Sequence, residues 1–184
     1  MKTKFIEQTI KYEGHQLAPH WIYKNFKIQG DSIVAFIGEC EVKLTEMVDI
    51  EDVINNEPIY SRNMLSFISE QFGVGLTEGV YRQRLLICII KEALEKRGIK
   101  VRRNGDDLFV DDKKLTVSIA TKSMTSILIH TGVNIDSQGA PVKASGLTND
   151  LGITDIENFA KEIMQKYSEE TDDIVLAGTK VRGV

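Results

Sequence analysis

Residues Arg103 to Asp136 read RNGDDLFVDDKKLTVSIATKSMTSILIHTGVNID, and the turn chemistry of this stretch decides the fold class. Asn104-Gly105 is the strongest short hairpin signal available, because a two-residue type I′ turn needs positive φ at both central positions. Asp111-Asp112 supplies a second turn and Lys122-Ser123 a third, so the segment reads as an antiparallel meander. Alternation then places Leu115, Val117 and Ile119 on one face and Lys114, Thr116 and Ser118 on the other. In the following strand Ile127, Ile129, Val133 and Ile135 share a face, with His130 and Asn134 opposite and Gly132 between them. The expected pocket wall is therefore Lys114, Thr116, Ser118, His130, Gly132 and Asn134. A glycine inside a strand often marks close approach by a ligand or another backbone. A lysine just after a tight turn can reach over a pocket as a point charge for a carboxylate or phosphate.

Outward from the meander, the segment Glu78 to Lys96 carries the clearest helical pattern. Its apolar centre runs from Leu85 to Ile90, with Thr77 as the expected cap and Gly98 as the stop. Gly73, Gly75 and Gly79 have the spacing GxGxxxG, not the dinucleotide fingerprint, and read as a loop feeding this helix. Toward the N-terminus, Phe5 to Tyr12 reads as a first strand and Leu17 to Phe26 as a short helix with Trp21. Ile28 to Gly38 reads as a strand whose apolar run Ile33–Ile37 is buried on both faces. From Glu39 to Asn63 the chain turns acidic, with a short helix expected around Asp49 to Ile54 inside a long connection. Apolar spacing at Leu65, Ile68 and Phe72 favours a helix over Met64 to Phe72. After a loop from Asp136 to Gly152, a last amphipathic helix is expected over Thr154 to Tyr167.

At 184 residues with 42% hydrophobic and 27% charged residues, the chain fits one folded domain, 1–184, able to bury a sizeable core. A net charge of −4 argues against a general nucleic-acid coat protein. The local cluster Lys96, Arg97, Lys100, Arg102 and Arg103 reads first as a solvated face at a helix C-terminus, and second as an RNA contact. Cys40 and Cys88 stand apart without a CxxC, so two reduced thiols are expected, Cys88 buried and Cys40 held up in pKa by Glu39 and Glu41. His15 and His20 are five apart, wrong for a helical metal pair, and no metal site is expected. The N-terminus lacks an apolar signal segment and no run reaches membrane-spanning length, so a cytoplasmic protein is expected.

The stretch Asp107 to Leu115, followed by Leu128 to Asp136, resembles the core of lipoate ligases, octanoyltransferases and biotin protein ligases. The whole chain, through GHQLAPHW, DSIVAFIGECEVK, MLSFISEQF and RQRLL, resembles the domain of unknown function 366 family, largely archaeal and of the same superfamily fold. That resemblance implies a class II synthetase-like α+β domain with a mixed or antiparallel central sheet and helices mainly on one side. It implies Lys114 as the lysine that contacts an acyl group or acyl-adenylate and Asn134 as the asparagine closing the later strand. It also implies a small-molecule ligand, with ATP one candidate cofactor and a homodimer one candidate assembly. The glycine-rich adenylate loop of the ligases has no counterpart, since Glu39 to Gln71 contains no glycine. Ser145-Gly146 stands where octanoyltransferases carry a nucleophilic cysteine. The readings left open are a ligase-like or acyltransferase-like protein, a binding protein on the same scaffold, and an RNA-contacting protein.

Overall fold

The computed structural model describes residues 1–140 and 142–183, so Pro141 of the expected 136–152 loop lies outside the described residues. In chain order the elements are β1 (Lys2–Ile6), α1 (Trp21–Phe26), β2 (Ser32–Val42), α2 (Ile50–Asn55), β3 (Ile59–Phe72) and α3 (Leu76–Glu95). Then come β4 (Arg102–Asn104), β5 (Asp107–Val110), β6 (Lys113–Lys114), β7 (Thr116–Lys122), β8 (Ser126–Asp136) and α4 (Ile156–Thr179). Five strands form the main sheet in the order β1-β2-β3-β8-β7, and β4-β5-β6 form a small second sheet. The main sheet is mixed, because β1 runs parallel to β2 while every other pairing is antiparallel. The molecule is thus the α+β architecture that the meander announces.

The meander closes through tight turns, but the first is displaced by one residue. Asn104 ends β4 opposite Asp107, so Gly105-Asp106 are the central pair and only the glycine takes positive φ, not the expected type I′ pair Asn104-Gly105. Gly105 has φ +62°, and Asp111 and Asp112 have φ +47° and +60°, a left-handed pair that aspartate tolerates better than branched residues. At the third turn the Ser123 hydroxyl accepts from the backbone N–H of Thr125 and Ser126, a side chain standing in for backbone pairing. The long helices α3 and α4 lie against one face of the sheet, where Ile33, Ala35, Leu65, Phe67, Val133 and Ile135 meet Leu86, Ile90, Phe159, Ile163 and Tyr167 in one buried cluster. On the opposite face Val34, Phe36, Met64 and Ile68 gather Tyr12, Ile22 and Cys40 into a second core. The run Ile33–Ile37 is indeed split between the two faces, as a strand buried on both sides requires.

Several expected elements are corrected. The expected helix over Met64 to Phe72 is part of β3, a central strand buried continuously from Met64 to Gln71. Leu65 and Ile68 go to opposite cores, which three-residue spacing gives in a strand and not in a helix. The polar residues that blur the pattern are buried with partners: Ser69 donates to the Ser32 carbonyl, and Gln71 donates to Tyr167. Strand β1 stops at Ile6, and Tyr12 forms only an isolated bridge to Cys40. The strand expected over 28–38 is shifted to Ser32–Val42, and the first helix is confined to Trp21–Phe26. Helix α3 is capped at Gly75 without a side-chain bond, not by Thr77, and α4 runs twelve residues past Tyr167 to Thr179. The acidic segment is shorter than expected because β3 begins at Ile59, but Asp49 does cap α2 through the Glu51 N–H.

Candidate functional site

The face of the sheet away from α3 and α4 is only partly covered, and a cavity of about 250 Å³ opens there. Its floor comes from β3, β7 and β8, with Met64, Val117, Ile119 and His130 facing inward. One wall is the connection between β2 and β3, including α2, and another is formed by Ala140, Val142 and Ala144. The second wall is tied in through backbone bonds on both sides of Lys114, with Lys114 donating to the Lys143 carbonyl and Ser145 donating to that of Lys114.

His130 sits at the centre of the floor. Its ring stacks on Tyr12 with centroids 3.7 Å apart and planes 13° from parallel, and its Nε2 lies 3.3 Å from the Ser66 hydroxyl. Burial lowers its pKa to about 3, so the imidazole is neutral at physiological pH. Tyr12 is 3% exposed and burial drives its pKa upward, which keeps the phenol protonated. Cys40 behind it is fully buried, and its thiol is pushed up to about 12, by burial first and by Glu39 second. The upward direction matches the sequence reading, with burial and not the acidic neighbours as the main cause. Cys88, expected to be buried, is only half-buried.

The structure separates the six expected wall residues. Cross-strand pairing sets Val117 opposite Gly132 and Ile119 opposite His130, whereas Thr116 faces Val133 and Ser118 faces Thr131. Directly paired residues share a face, so Thr116 and Ser118 belong to the helix side and Val117 and Ile119 to the cavity side. The expected alternation fails at Leu115, which lies between β6 and β7 and joins the helix-side core. A one-residue break of this kind exchanges the faces of everything after it. The two hydroxyls are engaged accordingly, Thr116 accepting from the Leu108 N–H, and Ser118 bonded to Thr131 and to Gln83 of α3. Both residues border the cavity, but their hydroxyls serve the packing of β5 and α3. Gly132 is on the cavity face, yet a Cβ there would collide with Met64 Sδ; the glycine makes room for a neighbouring side chain.

Lys114, His130 and Asn134 do come together around the cavity. Asn134 Nδ2 lies 3.5 Å from the Lys114 carbonyl. The Lys114 ammonium is 2.9 Å from Asp107. Asp107 nevertheless has its pKa raised, because burial outweighs the lysine. Asp52 is raised too, by burial and then by Asp49, with Lys114 acting against them. Tyr12, Val117, Ile119 and the Asp52–Asp107 side of the wall are the site residues that sequence reading missed. Only the acidic composition of the 39–63 segment pointed to any of them.

Two members of the basic cluster after α3, Arg97 and Arg102, are held by local partners. Arg97 pairs with Glu162 at 2.8 Å and lies over the Phe159 ring, and Arg102 lies over Phe109. Among the described residues no group of His, Cys, Asp or Glu is placed to hold a metal ion, and no helix is long and apolar enough to cross a membrane.

Comparison with known proteins gives the family. The family model described as Domain of unknown function (DUF366) matches residues 1–182, and the chain belongs to that family. An uncharacterized protein of Methanocaldococcus jannaschii is 43% identical over 180 residues, covering 95% of this chain and 81% of that protein. A solved protein of unknown function from Pyrococcus horikoshi superposes with a TM-score of 0.94 at 40% identity, covering 100% of this chain and 99% of its own. The biotin and lipoate protein ligases share the fold. A biotin protein ligase variant from Aquifex aeolicus in complex with biotin matches at TM-score 0.62 and 13% identity, over 94% of this chain and 70% of that one. A lipoate-ligase-like protein of T. acidophilum with bound lipoic acid matches at TM-score 0.60 and 12% identity, over 92% and 85%.

Proposed function

We propose that this chain is a small-molecule-binding protein on the biotin/lipoate ligase scaffold, with the cavity over β7 and β8 as its binding site. The observation that carries the reading is the cavity itself. It has an aromatic and aliphatic floor, a few convergent polar groups, and a neutral buried histidine at its centre. Its volume of about 250 Å³ falls just below the roughly 300–1,000 Å³ usual for drug-sized ligands, which fits a small metabolite. In this reading residues 1–184 work as one ligand-binding domain in the cytoplasm.

The test is a fragment screen by two-dimensional amide NMR, with biotin, lipoate, octanoate and ATP in the set. Binders are expected to shift the amides of Val117, Ile119, His130 and Gly132, and to lose this effect in Ile119→Trp, which fills the cavity. Hits confined to other surfaces, or hits that Ile119→Trp leaves unchanged, would overturn the assignment.

A second reading has support from Lys114 and Asn134, which the ligase resemblance singles out and which sit at one end of the cavity. It holds that a carboxylate or acyl-adenylate binds with Lys114 as electrostatic anchor, for a ligase-like or acyltransferase-like reaction. Pyrophosphate release from ATP in the presence of biotin, lipoate or octanoate, abolished in Lys114→Ala, is the outcome this reading requires. Ser145 gives it no nucleophile, being buried and outside the cavity lining.

A further inference from the structure

The charge around the cavity runs against an anionic ligand. Glu46, Asp49, Asp52, Glu57, Asp106 and Asp107 all line it, and Lys114 is the only lysine or arginine among the described lining residues. Half of these carboxylates are already engaged. Asp49 caps α2, Asp106 is held by Gln83 and Arg84, and Asp107 holds Lys114. Glu46, Asp52 and Glu57 make no close ion pair among the described residues, although Asp52 feels Lys114 at longer range. Glu46 and Glu57 are exposed and Asp52 is half-buried, so their attraction for a cation and repulsion of an anion are partly screened by water and fall with added salt. No three of the carboxylates are placed to share a metal ion among the described residues, so the wall suits a larger, organic charge.

A second observation comes from the floor. The Tyr12 side chain lines the cavity from a residue that is 3% exposed, and its hydroxyl bonds to none of the described residues. Among the described residues the buried side-chain polar atom without a partner is Ser32 Oγ and not this hydroxyl, so the Tyr12 hydroxyl reaches the open space of the cavity and is available to a guest. The floor around it, Met64, Val117, Ile119 and the Tyr12–His130 stack, offers apolar and aromatic surface without charge.

Resting on the binding-site reading above, we infer that the cavity selects a small organic cation. Its ligand is a primary amine or guanidinium on a short apolar body, with the cation toward Asp52 and Glu57 and the body over Tyr12 and Ile119. A carboxylate of the same shape is rejected, because it would meet unpaired carboxylates and would find the one ammonium already occupied by Asp107.

The experiment compares three probes of one shape, 3-phenylpropylamine, 3-phenylpropanol and 3-phenylpropanoate, titrated into the full chain at pH 7.5 and followed by amide shifts. The amine is expected to bind at least about tenfold more tightly than the carboxylate, with the alcohol between them. Its advantage is expected to shrink at high salt, and to fall to about threefold or less in the double variant Asp52→Asn/Glu57→Gln. That variant removes only exposed or half-exposed charge, and its amide spectrum reports that it is folded. A carboxylate that binds as well as the amine, with shifts at Val117 and Ile119, would overturn the charge selection and leave the site standing. Absence of cavity shifts with every probe would overturn the site and the selection together.

Discussion

The two faces of the central sheet are built from the same strands and end up with opposite properties. On one face α3 and α4 supply long amphipathic surfaces, and the contact is dry: Leu86, Ile87, Ile90, Phe159, Ile163 and Tyr167 are all at most 1% exposed. On the other the cover consists of two six-residue helices and extended chain, which leaves a cavity with a buried, uncharged histidine on its floor. A helix of four or more turns presents a continuous apolar stripe that can seal a sheet, whereas short turns joined by loops leave gaps lined with whatever side chains reach them. The sealed face holds the fold and the gapped face is free to bind.

The largest expected effect separates these roles directly. Phe159→Ala removes a ring at 1% exposure from the sealed core and is expected to cost about 3–5 kcal/mol of unfolding free energy. Ile119→Ala, from a half-buried position on the cavity floor, is expected to cost about 1 kcal/mol or less, because part of its surface already faces open space. Urea denaturation of both variants checks the contrast. Equal losses would mean that the two faces are packed alike.

Acid sharpens the comparison, since the ionisable group most strongly held out of its ordinary charge state lies on the gapped face. With its pKa lowered from 6.5 to about 3, His130 stays neutral in the folded chain while the unfolded chain takes up a proton below pH 6.5. The unfolded state then binds more protons, so stability falls as pH drops from 6.5 toward 3. At about 1.4 kcal/mol per unit, this one residue is expected to remove roughly 2–3 kcal/mol by pH 4.5. Asp52 and Asp107, raised by burial, act in the opposite sense over the carboxylate range. The informative quantity is therefore the difference between wild type and His130→Phe, which keeps a ring against Tyr12 and cannot titrate. The variant is expected to have the flatter acid limb in thermal unfolding between pH 6.5 and 4.5, and identical limbs would mean that His130 is not held neutral.

What could be read from the chain divides along the same line. The sealed face was legible, because α3 and the start of α4 carry helical spacing. Of the turns, Asp111-Asp112 falls where expected, while the one expected at Asn104-Gly105 lies one residue later, at Gly105-Asp106. Strand β3 was not, since its buried Ser66, Ser69, Glu70 and Gln71 break any alternation and their partners lie far away in sequence. On the gapped face, His130 and Asn134 were correctly placed because β8 pairs with β3 in one register from Ser126 to Asn134, and the shift comes only after it. Thr116 and Ser118 were assigned to the wrong face because a single residue, Leu115, interrupts the strand between β6 and β7, and one-residue interruptions leave no mark in composition. Gly132 was visible as an anomaly, but its cause, Met64 on a neighbouring strand, is a tertiary contact that no local pattern contains. Tyr12 was read as the end of a strand, when its importance comes from stacking on a ring more than a hundred residues away.

The smallest expected change in stability tests the role of Lys114. Its ion pair with Asp107 is partly open to solvent, with the two side chains 34% and 27% exposed, and pairs of this kind contribute about 0–1 kcal/mol. Burial raises the pKa of Asp107 in spite of the lysine, so the pair gives little net support to the fold. Asp107→Asn is therefore expected to shift the unfolding free energy by less than about 1 kcal/mol, while leaving an ammonium without a partner at the cavity edge. The same 3-phenylpropanoate that the wild type rejects is then expected to bind the variant about tenfold more tightly. A gain in carboxylate affinity without a loss of stability would show that Asp107 acts as a lock on the anion site expected from Lys114. Unchanged affinity would mean that Lys114 belongs to the frame of the cavity, positioned by its backbone bonds to Lys143 and Ser145, and that the charge of the acidic wall alone decides what enters.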